Sequence, residues 1–357
     1  MKAVIIAGGL GTRLRPLTNN TPKPIVPLAN LPMIVRQLDL LVCHGINEVI
    51  INLHYLSHEI KKILGDGRKW GIKIYYSIEN EPLGTAGAVK NAEQFFDEDP
   101  LIVFNGDVIT DLNLTKLIGF HHQKQAVVTL ALTEVEDPTA FGLILRDKDG
   151  RVTKFLEKPN WEQVIQAKTK AINAGTYIID PKIFRDVPVG EPYSFERQLY
   201  PSLLEKGVRM FGYLSTAYWI DIGNPEKYKE VHQAILRGEV AVKIMGTRIN
   251  NKVWLGEGTH PDATVKILGP CLLGNNVRLG RNTEIRDYVV LGDNVIVDEG
   301  STLDRCVVWE GCKIGKGVHF VDCVLGRNCV IEDQSIIEHG VVLADNSVIK
   351  KGSRISL

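Results

Sequence analysis

The 357-residue sequence has no excess of charge of either sign: 42 Lys and Arg balance 42 Asp and Glu. That argues against a general nucleic-acid or membrane-surface binder, which would need a dominant basic field, and leaves room for local basic patches. No apolar run reaches the roughly 18 residues that span a bilayer. Before Gly8 there is one Lys and a five-residue apolar run, Ala3 to Ala7, too short for the apolar core of a signal peptide. A cytoplasmic location is therefore expected. Of the six cysteines, Cys43, Cys271, Cys306, Cys312, Cys323 and Cys329, none forms a CxxC pair. This argues against a zinc site, and all six are expected to be small buried hydrophobes. No Ser/His/Asp or Cys/His set for nucleophilic catalysis stands out.

What is present divides into two kinds of pattern. The 44% hydrophobic and 24% charged content is that of a globular protein, with length for about two domains. Residues 1–235 alternate short β-branched runs (3–7, 49–53, 72–78, 101–104, 127–132) with helical spacing at 33–44 and 85–96. This predicts βαβ units on a mainly parallel, Rossmann-like sheet, whose ligands bind beyond the carboxyl ends of the strands. Residues 236–264 read as a linker and a first irregular coil. In 265–357 small aliphatic residues recur every six positions: Val265, Cys271, Val277, Thr283, Val289 and Val295. After a slip of one residue the row resumes as Cys306, Cys312, Val318, Val324, Val330, Ile336, Val342 and Val348. This hexapeptide repeat predicts a parallel β-helix of about five coils, with the periodic side chains filling its axis.

The segment MKAVIIAGGLGTRLRPLTNNTPKP joins a predicted buried strand to a turn containing Gly8, Gly9 and Gly11, followed by Thr12, Arg13 and, ten residues on, Lys23. Glycines leave backbone N–H groups open to an anion, Arg13 brings a guanidinium fork and Lys23 a point charge. Such a loop suits a polyphosphate. It is neither a P-loop, which needs Gly-Lys-Ser/Thr, nor a dinucleotide fingerprint, whose third small residue is replaced by Leu14.

Further candidates are ambiguous one by one. Asp107, closing IVFNGD, and Asp221, in YWIDIG, each follow a buried run beside a glycine; either is an Asx turn or half of the carboxylate pair that Mg²⁺ prefers. In ENEPLGTAGA, Glu79 or Glu81 could accept from the N1–H and N2–H₂ of guanine, and Gly84 could admit a base edge, while Thr85 is also a plausible helix N-cap. Lys158, in FLEKP, is an exposed turn residue or a phosphate contact. Asn173 and Gly175, ahead of a predicted strand at 176–179, suit hydroxyl recognition or a simple turn.

Taken in order, GGLGTR with Lys23, PLGTAGA, NGD, EKP, NAG and WIDIG resemble the sugar-nucleotide pyrophosphorylases, nucleotidyltransferases that act on sugar 1-phosphates. KPIVPLANLPMI and EPLGTAG bring the resemblance closest to the mannose-1-phosphate guanylyltransferase type with a C-terminal left-handed β-helix. The resemblance implies that Arg13 and Lys23 contact the triphosphate and that Asp107 and Asp221 hold Mg²⁺. It implies that Lys158 contacts the sugar phosphate, and Glu157, Asn173 and Gly142 the sugar hydroxyls. Phe141 stands where Tyr is frequent. The substrates implied are an NTP, foremost GTP, and a sugar 1-phosphate. The alternatives are a glucose-1-phosphate thymidylyl- or uridylyltransferase, a hexapeptide acyltransferase using His260, His319 or His339, and a non-catalytic regulatory paralogue. A terminal coil with no visible capping helix further predicts a homo-oligomer, foremost a dimer, assembled through the β-helix.

Overall fold

The computed structural model describes residues 1–250 and 252–357. The chain divides into two compact units that interleave in sequence: Met1–Gly9 with Ile34–Trp219, and Leu10–Met33 with Ile220–Leu357.

The first unit is built on a nine-stranded sheet. Lys73–Ile78, Glu48–Leu53, Ala3–Ile6 and Leu101–Asn105 lie side by side and parallel. Ala3, Val4, Ile5, Ile50, Ile51, Ile102, Val103 and Phe104 are fully buried, which is why these runs are continuously β-branched or aromatic rather than alternating. Ala171–Ile179 then pairs antiparallel with Leu101–Asn105, Val128–Glu134 and Gly142–Arg146. Met210–Leu214 runs parallel to Val128–Glu134. On one side of the sheet Tyr177, Phe184, Phe195, Leu199 and Tyr200 form an aromatic-rich core. Helix Leu114–Gln123 starts where the Asn113 side chain accepts from Lys116 N at 2.9 Å, one of the orphan donors of a first turn.

Two local expectations change here. Asn173 and Gly175 do not precede a strand: Ala171–Ile179 is continuous and includes both. Its register against Val128–Glu134 shifts between Asn173 and Tyr177, the mark of a bulge, and Gly175 takes φ +69° there. Thr85 is not an N-cap, since helix Gly84–Asn91 begins after Leu83 without a side-chain cap.

In the second unit, helix Pro225–Arg237 is capped by Asn224, which accepts from Lys227 N at 2.9 Å, and stopped by Gly238 at φ +78°. The parallel β-helix follows, its three ladders carried by strands such as Cys271–Leu273, Arg278–Leu279 and Glu284–Ile285. Its first parallel pairing is Val253–Leu255 on Cys271–Leu273. Asn276, Asn282, Asn294, Asn328 and Asn346 turn corners in the left-handed region, the non-glycine residue best suited to it.

The predicted inward row needs a correction after Val318. Val290, Val307 and Val324 are ladder partners 17 residues apart, whereas Val324 and Val342 are 18 apart. Two successive coils are thus shortened, and the second slip moves the row to Cys323, Cys329, Ser335 and Val341, all buried. Val330 and Val348, read as axial, point outward and are 36% and 53% exposed. A one-residue slip exchanges the two faces of a strand. A second inward row, Leu273, Ile285, Leu291, Val297, Leu303, Ile314, Phe320 and Leu325, interleaves with the first. Five cysteines lie in this axis, with Cys306 and Cys323 sulfurs stacked 3.4 Å apart, all as free thiols. Cys43, read as buried, is exposed at the end of helix Met33–Cys43. No helix of the described residues is long and apolar enough to cross a membrane.

Candidate active site

In the first unit Gly8, Glu79 and Asp107 follow the carboxyl ends of parallel strands, while Gly142 and Asn173 lie at or near the amino ends of antiparallel ones. Gly8 follows Ala3–Ile6, and a Cβ there would stand 3.3 Å from Glu79 Oε1 and from His54 Cβ. Glu79 is buried, only 6% exposed. Its Oε2 accepts from Leu83 N at 3.1 Å, while Oε1 has no hydrogen-bond partner. Burial raises the Glu79 carboxyl above the ordinary range, against the Leu83 N–H and His54, which lower it. Glu79 therefore underlies the glycine turn; Glu81 is the exposed carboxylate of the pair, and Gly9 has open space around its Cα. Gly106 donates to Ile6 O at 2.9 Å, and a Cβ there would meet that oxygen at 2.6 Å. The close approach seats the half-buried Asp107 in the turn after Leu101–Asn105.

The EKP residues and the residue pair Phe141–Gly142 come together across one ladder. Glu157 is the register partner of Gly142, and Lys158 N donates to Phe141 O at 3.0 Å. A side chain at Gly142 would collide with the Phe155 ring, 2.4 Å from its Cζ. The neighbouring strand adds Ile172 as the register partner of Leu143, which brings Asn173 to the same end of the sheet. Asn173 Nδ2 donates to Tyr177 Oη at 2.9 Å and its Oδ1 accepts from Gly175 N at 3.2 Å. Asn105 Oδ1 and Thr176 Oγ1 are buried without hydrogen-bond partners. Trp219 closes this region, donating from Nε1 to Ala174 O at 2.8 Å with its ring edge-on to Phe141 at 5.4 Å.

Burial raises the Glu157 carboxyl, Glu196 raises it further, and Lys158 and Arg197 pull it down. No motif in the sequence marks Glu196. Its Oε2 accepts from Ser194 Oγ at 2.8 Å and from Thr85 Oγ1 at 3.1 Å, and Thr85 Oγ1 accepts in turn from Phe195 N at 2.8 Å. Thr85 of PLGTAG is thereby bonded to the π-turn Phe195–Leu199, whose Glu196 raises the Glu157 carboxyl of EKP through its charge. The only local hint was Ser194, which caps that turn. Packing demands a glycine at 84, whatever else it faces: at φ +71°, a Cβ there would come 2.9 Å from Tyr193 O.

In the second unit, Gly11 at φ +62° opens the short helix Thr12–Leu14, and its carbonyl accepts from Thr18 Oγ1 at 2.8 Å. A Cβ at Gly11 would approach Lys23 Cβ to 3.1 Å. Lys23 is 9% exposed, and Thr12 and Arg13 are exposed. A Cβ at Gly223 would stand 3.0 Å from Arg13 Nη1, so this glycine lets the guanidinium lie on the Asp221–Gly223 turn, where Gly223 N donates to Asp221 O at 2.9 Å. Asp221 is half-buried at the end of Trp219–Asp221. The arginine of the first motif and the aspartate of the last, some 200 residues apart in sequence, thus meet in one unit.

A family model described as nucleotidyl transferase matches residues 2–238, and one described as GMPPB C-terminal domain matches residues 261–356. The chain is similar to a mannose-1-phosphate guanylyltransferase of Mycobacterium tuberculosis, 36% identical over 84% of this chain and 82% of that protein. It is also similar to a UTP–glucose-1-phosphate uridylyltransferase of Synechocystis, 30% identical over 95% of this chain and 90% of that one. Among solved structures, HddC from Yersinia pseudotuberculosis complexed with GMP-PN superposes with a TM-score of 0.55 at 33% identity, covering 64% of this chain and 97% of that one.

Proposed function

Because the chain belongs to the nucleotidyl transferase family, matched over residues 2–238, we propose that it transfers GMP from GTP to mannose 1-phosphate, giving GDP-mannose and pyrophosphate. The observation that carries this reading is the placement of the Arg13 guanidinium on the Asp221–Gly223 turn, a cation beside a carboxylate-bearing loop, as a metal-bound polyphosphate requires. The guanylyltransferase of M. tuberculosis and the GMP-PN complex of HddC favour guanine.

In this reading a phosphate oxygen of mannose 1-phosphate attacks the α-phosphorus of GTP in line. The new P–O bond forms as the bond to the β-phosphate oxygen breaks, and pyrophosphate leaves with the electron pair. The attacking oxygen is already anionic, so no strong base is needed, and the protein contributes position and charge. Arg13 and Lys23 donate to the triphosphate, and backbone N–H groups of Gly8, Gly9, Gly11 and Thr12 line its path. Lys158 holds the sugar phosphate; Glu157, Asn173, Gly142 and Gly175 face the hydroxyls. Gly84, Thr85 and the exposed Glu81 form the base side. We assign Mg²⁺ to Asp107 and Asp221 from their chemistry: each is a half-buried carboxylate, and Mg²⁺ takes one or two carboxylates with phosphate oxygens and water. When bound, Mg²⁺ neutralises triphosphate charge. A cytoplasmic location belongs to the same reading, as does homo-oligomerisation through the β-helix, whose outward Val330 and Val348 offer apolar surface; light scattering tests the latter.

A panel of GTP, dTTP, UTP and ATP against mannose and glucose 1-phosphates, scored by pyrophosphate release, tests the assignment. GTP with mannose 1-phosphate should be fastest. A preference for UTP with glucose 1-phosphate would transfer the reading to the type of the Synechocystis relative.

A further inference from the structure

The segment that carries Lys23 is anchored to the β-helix at a series of points inside the second unit. Arg327, at a corner of the helix, donates from Nη1 to Thr21 Oγ1. Thr21 is 2% exposed and stands two residues before Lys23. Arg327 is itself fixed on every side: Nε donates to Glu310 Oε1 at 2.7 Å, its backbone N–H to Asp345 Oδ1 at 2.7 Å, and the guanidinium lies 5.1 Å over the Trp309 ring. Trp309, buried, donates from Nε1 to Tyr228 Oη at 2.9 Å, and Tyr228 Oη donates to Pro27 O. His232, edge-on to Tyr228 at 4.5 Å, accepts from Ala29 N at 3.2 Å through Nε2. An N–H acceptor must be unprotonated, so Nδ1 carries the proton and donates to Tyr228 O at 2.8 Å. Asn30 Nδ2 donates to Leu291 O at 2.8 Å.

An exposed loop held only by its own turns would carry Lys23 on a mobile support. Here Thr21, Pro27 and Ala29, on either side of it, are held by side chains from the β-helix and from helix Pro225–Arg237, and Asn30 itself bonds the β-helix backbone.

We propose that Arg327, seated on Trp309, is a positioning residue for the nucleotidyl transfer: it sets the backbone at Thr21 and so aims Lys23 at the triphosphate. The β-helix then acts on catalysis indirectly, through the segment that carries Lys23, and no motif in it announces this. This rests on the reading of Lys23 as a triphosphate contact.

The test compares Arg327→Met, Thr21→Val, Thr21→Ser and Lys23→Met with GTP and mannose 1-phosphate under saturating Mg²⁺. Arg327→Met and Thr21→Val should each lower kcat/KM for GTP by about tenfold, as expected for displacing a phosphate contact by a fraction of an ångström. The KM for mannose 1-phosphate should be unchanged. Thr21→Ser, which keeps the hydroxyl, should restore the wild-type value, and the double variant should be no worse than either single one. A general loss of fold would instead shift both substrates together and survive the Ser replacement, and that result overturns the proposal. If Lys23→Met is impaired towards GTP while Arg327→Met matches wild type, the positioning role alone is refuted. If Lys23→Met leaves the GTP constants untouched, the triphosphate reading of Lys23 falls and the proposal with it.

Discussion

Replacing Gly223 by Ala adds one methyl group at a place where the structure sets its consequence. The new Cβ would lie 3.0 Å from Arg13 Nη1 and 3.4 Å from Arg13 Cζ. Ordinary contacts begin near 3.5 Å, so the guanidinium must recede by about half an ångström. The backbone itself need not protest, because Gly223 does not use the left-handed region. Arg13 is exposed and has room to move, so folding should be unaffected within about 0.5 kcal/mol. Catalysis should not be so tolerant: a misplacement of about 1 Å can cost about a hundredfold. Half of that displacement suggests on the order of a tenfold loss of kcat, about 1.4 kcal/mol in the barrier. Removing the donor outright in Arg13→Ala should cost on the order of a hundredfold. The decisive assay is the pair: pyrophosphate release by Gly223→Ala in wild-type and Arg13→Ala backgrounds, with thermal unfolding as control. The methyl should be harmful in the first and silent in the second. An equal loss in both backgrounds would refute the argument that Gly223 acts through Arg13.

Asp107→Asn and Asp221→Asn should each abolish most turnover with unfolding midpoints near wild type, since an amide binds Mg²⁺ poorly; near-normal activity at limiting Mg²⁺ would remove either from the metal site. Glu81→Gln should narrow the GTP over dTTP preference by about tenfold or more, the worth of a charge-assisted hydrogen bond, whereas buried Glu79→Gln should leave the ratio unchanged; the reverse outcome in competition assays would return the base-reading role to Glu79. Burial and the neighbouring His122 push His121 down to about 4, against a smaller opposing effect of Asp180. The unfolded chain therefore takes up this proton first, so stability is full above about pH 6.5 and is lost as pH falls towards 4, by about 3 kcal/mol. Urea titrations of His121→Gln should show a flatter acid limb, and an unchanged limb would dismiss His121 as its source.

The sequence was legible where chemistry and periodicity are local. The continuous apolar runs around Val4, Ile50 and Val103 announced a buried parallel sheet, and the six-residue spacing announced the β-helix. The second slip of that spacing escaped notice because Val324 directly follows Cys323, and both fit a small apolar slot; only ladder registry separates inside from outside at Val330 and Val348. Glu79 and Glu81 looked equivalent until the fold buried one beneath Gly8. Thr85 had the composition of an N-cap, but a tertiary partner 111 residues away, Glu196, claimed its hydroxyl. The same applies to Arg327: its sequence surroundings are those of any β-helix corner, and its meaning lies in Thr21, 306 residues earlier.

The proposed reaction exchanges pyrophosphate for a sugar phosphate on one nucleotide. Phosphorus NMR of the full-length protein with GTP, mannose 1-phosphate and Mg²⁺ measures it directly. GDP-mannose and pyrophosphate should appear in equal amounts, and added pyrophosphate should drive the signals back to GTP and mannose 1-phosphate. Release of inorganic phosphate in place of pyrophosphate, or GTP and mannose 1-phosphate left unchanged, would rule this reaction out.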